Sequence, residues 1–297
     1  MMGYSPGRFP SPLRYPGGKG KIANYFKLLF LENGLTGADY VEPYAGGAGV
    51  ALALLYEDYA DVVHINDINV GVHAFWAAVL DRTAELCGLI AETPVTMDEW
   101  HRQRGIQAAG DAADPLELAY STFFLNRVNR SGIIAGGIIG GQAQDGAWKL
   151  DARFNRDDLI GRIRKVGRFR SRIVLTRLDA AEVLSRWQDE DRPAFIYLDP
   201  PYFVKGEGLY DNFYGPEDHE DIARVVAKLP HPWVVSYDAA PEISTLYAGH
   251  QGISYSLSYS AQARYRGSEV MYFSARLKVP EDLPTQVRSS QLATLLG

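Results

Sequence analysis

The sequence reads as an α/β protein built on a mostly parallel sheet with helices on both faces, and three observations carry that reading. Short apolar runs alternate with helical stretches, the pattern of a parallel sheet covered on both sides. The last two runs are separated by a polar, glycine-containing segment with no room for a crossover helix, so they pair as an antiparallel hairpin. From about Thr93 to Phe169 the alternation stops, and this stretch reads as an inserted, mostly helical subdomain.

Each element has its own signal. Strands are expected at Tyr40–Pro43, Val62–Asn66, Ile173–Thr176, Phe195–Leu198, Trp233–Ser236, Ser254–Ser258 and Val270–Ser274, all short apolar runs bounded by turn or helix-start residues. Helices are expected between most of them, at Val50–Tyr56, Val70–Ile90, Asp179–Trp187 and Pro216–Leu229. The insertion carries helix-like pieces at Met97–Gln103, Leu116–Leu125 and Asp158–Val166, and a glycine-rich run, SGIIAGGIIGGQAQDG, expected to be a mobile loop. The domain division is then 12–92 with 170–278 for the main body, 93–169 for the insertion and 279–297 for a loose polar tail.

Composition narrows the function classes. With 297 residues, 46% hydrophobic and 22% charged, the chain is long enough for a large core and too apolar for disorder. Its one cysteine, Cys87, excludes an internal disulfide framework and a cysteine-based zinc cluster; in TAELCGLIAE it reads as a buried structural thiol. No run approaches the ~18 apolar residues of a membrane span, and MMGYSPGRFPSP lacks the apolar core of a secretion signal, so a cytoplasmic protein is expected. The formal net charge of −6 argues against a surface that binds nucleic acid everywhere. That average is uneven: Asp151–Arg177 holds nine basic residues against three acids, a net of +6 that leaves −12 for the rest. Such a stretch reads either as a face for a polyanion or as a solvated, arginine-rich helix.

The sharpest motif is Asp199-Pro200-Pro201-Tyr202, directly after the strand FIYL. In an open parallel sheet, ligand chemistry sits beyond the C-terminal strand ends. The prolines fix the backbone, remove two N–H donors and leave carbonyls as acceptors. A carboxylate, a fixed carbonyl and an aromatic ring suit a planar ring bearing an exocyclic amine; the plainer reading is a proline turn with a packed tyrosine. At the first strand, YVEPYAGGAG runs into a helix, and Gly46, Gly47 and Gly49 let the backbone turn tightly beside a helix N-terminus. Asp67 ends the second strand, placed either to accept ribose hydroxyls or to cap a helix. LRYPGGK, with Lys19 after paired glycines, suits a loop that folds over a ligand or a simple turn. No phosphate-cradling Gly-x-x-x-x-Gly-Lys-Ser/Thr, no His-Glu-x-x-His or comparable metal spacing and no Gly-x-Ser-x-Gly elbow occurs, so no metal is expected.

In order along the chain, LRYPGGK, VEPYAGGAG, INDIN, Phe124-Leu-Asn-Arg127, LDPPY, SYDAAPEI and RGSEVMYF resemble the motifs of the Dam-type (D12 class) DNA adenine-N6 methyltransferase family, across about residues 12–275. The glycine loop departs by its doubled glycine, Tyr15 stands where the family often has tryptophan, and NRSGIIAGGIIGG replaces the commoner Asn-Gly-Leu pattern, which leaves the target sequence open.

The resemblance implies a Rossmann-like S-adenosylmethionine-dependent methyltransferase fold with the insertion as target-recognition region. It implies that Tyr15, Lys19, Asp67 and Asp199 contact S-adenosylmethionine or the site beside it, that Glu42 and the Gly46–Gly49 turn hold its methionine end, and that Asp67 takes the ribose. Asp199 and the Pro200 carbonyl would accept the two N–H bonds of a flipped-out adenine amine, with Tyr202 stacked on the base and Phe203 with KGEGLYDNFY closing as a lid. Duplex DNA would meet Arg127, Arg130, the stretch Arg153–Arg172 including Arg153 and Arg156, and Arg264 with Arg266. A monomer is expected, and free-standing, phage-borne and restriction-endonuclease-paired forms all stay open. RNA adenine methylation, or a catalytically silent DNA-binding module of the same fold, are the competing readings.

Overall fold

A computed structural model describes residues 10–14, 19–203, 214–259 and 265–296. Seven strands form one sheet: β1 (Asp39–Glu42), β2 (Val63–Asn66), β3 (Ile173–Thr176), β4 (Ala194–Leu198), β5 (Trp233–Asp238), β6 (Gln251–Tyr259) and β7 (Tyr265–Phe273). Their order is β3-β2-β1-β4-β5-β7-β6, with β7 alone antiparallel to its neighbours. The α/β class, the mostly parallel sheet and the terminal hairpin therefore hold as expected. The order reverses between β1 and β4, which opens a crevice at their C-terminal ends, where the motifs after Glu42 and Leu198 begin.

Both sheet faces are buried, and strand residues alternate between two cores. Tyr40, Phe195, Tyr197 and Val234 face the larger core; Val41, Ile196, Leu198 and Val235 face the smaller. The larger core packs on α1 (Ala23–Glu32), α2 (Gly49–Tyr56), α3 (Val70–Asp81), α4 (Thr83–Glu92), α5 (Met97–Ala109), α6 (Pro115–Val128) and α7 (Arg156–Arg168). The smaller packs on α8 (Ala180–Gln188), α9 (Pro216–Val226) and α10 (Pro241–Leu246). Phe123 of the helical insertion stacks on Phe75 of α3 and meets Phe154 edge to face, so the insertion continues the main core.

Three expectations are corrected. The single helix over Val70–Ile90 is two, broken at Arg82, because the Thr83 hydroxyl donates to the Val79 carbonyl at 2.6 Å and competes with the helical ladder. The tail is not loose: it forms α11 (Ser289–Leu296), with Val287 and Leu292 buried in the larger core, and Asn24 of α1 donates to Ser289. The glycine-rich run is held by side chains. Asn129 donates to the carbonyls of Ile133 and Ile134, and Gln144 to those of Ile139 and Gly141. No helix among the described residues is long and apolar enough to cross a membrane.

Candidate active site

The loop after β1 is stitched to the loop after β2. Ala45 N–H donates to the Asn66 carbonyl, and the Asn66 amide donates to the Pro43 carbonyl. Gly46 takes a left-handed backbone at φ 45°, and its N–H donates to Asp67 Oδ2 at 2.8 Å. Asp67 Oδ1 accepts from Asn69 N–H at 3.0 Å, while Asn69 is the side chain that caps α3. Burial pushes the Asp67 carboxyl up to about 6, against the pull of the Asn69 and Gly46 N–H groups. A Cβ on Gly49 would stand 3.4 Å from Gly20 N, so the turn that carries Lys19 lies directly against the start of α2. Glu42, at the tip of β1, is buried, and its Oε2 has no hydrogen-bond partner among the described residues. Burial, reinforced by the nearby Asp199, raises its carboxyl well above the usual range.

Across the crevice, Asp199 follows β4 with its side chain 23% exposed. Its Oδ1 accepts from Lys19 Nζ at 2.8 Å and from Ser236 Oγ at 2.7 Å, and Ser236 pairs in turn with the Tyr197 hydroxyl at 2.8 Å. Lys19 is buried, and its Nζ also lies 3.3 Å from Glu269 Oε2 and 3.4 Å from the Tyr202 hydroxyl. The Tyr202 hydroxyl donates to Glu269 Oε1 at 2.7 Å and that of Tyr255 to Oε2 at 2.8 Å. Burial alone would lower the Lys19 ammonium, but Asp199 and Glu269 outweigh it and hold Lys19 well above the usual lysine range. The crevice thus joins a glycine turn, two acids at strand tips, and a carboxylate whose orientation is held by a buried lysine.

The model of the D12 class N6 adenine-specific DNA methyltransferase family matches residues 15–261. The chain belongs to that family. Membership makes the reaction class S-adenosylmethionine-dependent methyl transfer. No curated protein matches the chain. Among solved structures, a proposed RNA methyltransferase of Pyrococcus horikoshii shares 9% identity over 88% of this chain and 86% of its own, at a TM-score of 0.42. The rRNA methyltransferase AviRa of Streptomyces viridochromogenes shares 13% over 93% and 90%, at 0.38, and TrmN of Thermus thermophilus 12% over 83% and 47%, at 0.35. These likenesses, all with TM-scores below 0.5, do not bear on substrate.

The donor set fits S-adenosylmethionine. Glu42 offers a buried carboxylate oxygen with no partner among the described residues to a cationic or hydroxyl donor, the glycines of the Gly46–Gly49 turn carry no side chain to hinder approach, and Asp67 is an acid beside it. Among the described residues no group of side chains could hold a metal ion. The crevice brings together Lys19, Glu42, Gly46, Gly47, Gly49, Asp67, Asp199, Pro200, Pro201 and Tyr202 of the expected site. Tyr15, Arg264 and nearly all of the expected lid after Phe203 lie outside the described residues, and Arg266 is described only as backbone of β7.

Two of the expected DNA contacts are structural instead. Arg127 is buried and spends its guanidinium on the Arg153 and Pro12 carbonyls; burial, with Arg14 adding to it, brings its pKa down to about 9. Arg156 caps the end of α4 by donating to the Ile90 and Thr93 carbonyls. Further along the basic stretch, Arg170 pairs with Asp81, and Arg172 with Asp58 and the Ala60 and Asp61 carbonyls. Both arginines precede β3, at the sheet edge opposite Asp199. Charge counting sees these arginines but not the carbonyls and acids that claim them. Arg130 and Arg153 remain exposed.

Ser236, Tyr255 and Glu269 escaped notice in the sequence as site residues. The available signal was Glu269 itself, an acid opening the apolar run EVMYF in a strand too central to leave a charge unpaired.

Proposed function

We propose that this chain methylates the N6 amine of adenine in duplex DNA. The observation that carries the reading is Asp199, fixed at the switch point by Lys19 and Ser236 through one oxygen, with no described residue donating to the other. Family membership supports the choice of base and of DNA.

The N6 lone pair of adenine is delocalised into the ring, so the amine is a poor nucleophile. Asp199 Oδ2 and the Pro200 carbonyl accept its two N–H bonds and draw the nitrogen toward a tetrahedral, nucleophilic geometry. Glu42, the Gly46–Gly49 turn and Asp67 would hold S-adenosylmethionine, which would supply an electrophilic sulfonium methyl and leave as the neutral thioether. Positioning the two reactants in line provides much of the rate, and Asp199 accepts the proton that the amine sheds. Lys19 orients Asp199 for that task through the 2.8 Å contact to Oδ1. Tyr202 lies beside Asp199 against a base that has left the duplex. Arg130 and Arg153 are two exposed cations of the insertion that would meet phosphates.

The test is tritium transfer from labelled S-adenosylmethionine to duplex DNA and to structured RNA in parallel. Label in DNA, lost by at least about 100-fold in a folded Asp199→Ala variant, agrees with the proposal. Label in RNA alone, or full turnover in D199A, contradicts it.

A further inference from the structure

We infer that Glu269, on the antiparallel strand β7, is a positioning residue for methyl transfer: its carboxylate divides the Lys19 cation with Asp199 and fixes Tyr202. The inference rests on the methyl-transfer reading above and names a residue of the RGSEVMYF segment to which the sequence motifs assigned no role.

The geometry is that of a hub. Glu269 is 1% exposed and takes three donors, Tyr202 at 2.7 Å, Tyr255 at 2.8 Å and Lys19 at 3.3 Å. Its placement is rigid, because it is paired across the sheet with Asp238 on one side and Tyr255 on the other. Those flanking strands also grip the catalytic motif: Asp238 Oδ1 accepts from Phe203 N–H at 3.0 Å, while Glu269 holds the Tyr202 side chain. The residue before and the residue after the bond between Tyr202 and Phe203 are thus tied to adjacent strands.

The chemistry needs such a hub. With Asp199 as its only carboxylate partner, the Lys19 ammonium would be drawn fully onto Asp199 and would weaken it as an acceptor for an incoming amine. A second carboxylate, 3.3 Å away, splits that pull. Its carboxylate also accepts from the buried Tyr202 hydroxyl at 2.7 Å and so fixes that side chain. The groups facing Lys19 are Asp199, Tyr197, Tyr202, Tyr255 and Glu269, with Glu42 on β1 nearby, so one carboxylate of the set is lost in a neutral variant.

The experiment compares wild type with Glu269→Gln, which keeps the shape and removes the charge. Expected are an unfolding midpoint that still reports a folded chain, a kcat for transfer lowered by about 100-fold, and a KM for S-adenosylmethionine changed far less. The alkaline limb of kcat moves to lower pH, because Lys19 loses one of the carboxylates that hold its proton. Carbon-13 lysine NMR follows the Lys19 titration independently of turnover and shifts the same way. Wild-type kcat and an unmoved Lys19 titration overturn the inference. A moved titration in an enzyme that methylates no adenine in duplex DNA overturns the proposed reaction and leaves the positioning role standing. If E269Q does not fold, Glu269→Asp replaces it: charge kept, carboxylate drawn back by a methylene, kcat expected to fall about 10-fold or more with the limb in place. Full activity in E269D overturns the inference.

Discussion

Asp67 commits both carboxylate oxygens to backbone N–H groups and still carries a pKa of about 6, because burial outweighs those bonds. Its folded value lies above the ordinary 3.8, so the folded state binds more protons between the two and stability falls as pH rises across that window. Cofactor binding runs the other way. Only the ionised carboxylate accepts hydroxyl donors without giving up a backbone bond, so affinity for S-adenosylmethionine should weaken as pH falls through about 6. Calorimetry between pH 5 and 8 reads this directly, and a flat profile would remove Asp67 from the ribose role. At this scale the acids were legible because they stand in motifs at strand ends, where chemistry concentrates. Glu269, Ser236 and Tyr255 were not, since a residue inside a strand announces only that it is buried, and its partner depends on cross-strand register.

Elements show where local pattern loses to tertiary packing. The turn after α6 is locked to the N-terminal segment: Asn126 accepts from Arg14 N–H at 2.7 Å and donates to the Arg14 and Gly132 carbonyls. Gly132 sits at φ +80°, where a Cβ would stand 2.2 Å from the Arg14 carbonyl oxygen. Gly132→Ala should therefore destabilise the fold by roughly 2–5 kcal/mol, read by denaturant unfolding, through backbone strain plus overpacking. An unchanged midpoint would show that the turn is not clamped to Arg14. The C-terminal helix makes a second test. Leu292 is buried in the larger core although its neighbours in sequence are mostly polar, and Leu292→Ala should cost about 2–4 kcal/mol if α11 is part of the core. No loss would return the tail to the loose state its composition suggested. The strands were readable from short apolar runs. Helix α1 was not, because ANYFKLLFLE is apolar all round and has no capping side chain, so it shows neither period nor start signal.

For the whole molecule, the decisive quantity is how charge is arranged in space. The +6 stretch runs along α7 from the insertion to the opposite end of the sheet, and most of its arginines are satisfied internally. DNA binding should consequently weaken with salt, with a logarithmic slope nearer about −3 than the about −8 that nine phosphate contacts would give. A steep slope would mean that the internal pairs open on binding. The acidic average and the proposed nucleic-acid substrate are thus compatible, because few cations need face a duplex when the proposed chemistry rests on one carboxylate in the crevice. The central claim is that this crevice methylates adenine at N6 in DNA. It is tested most directly by digesting duplex DNA to nucleosides after reaction with the purified chain and methyl-labelled S-adenosylmethionine. The account predicts label in N6-methyldeoxyadenosine alone; label in a methylated cytosine, or none in DNA while RNA is labelled, would contradict it.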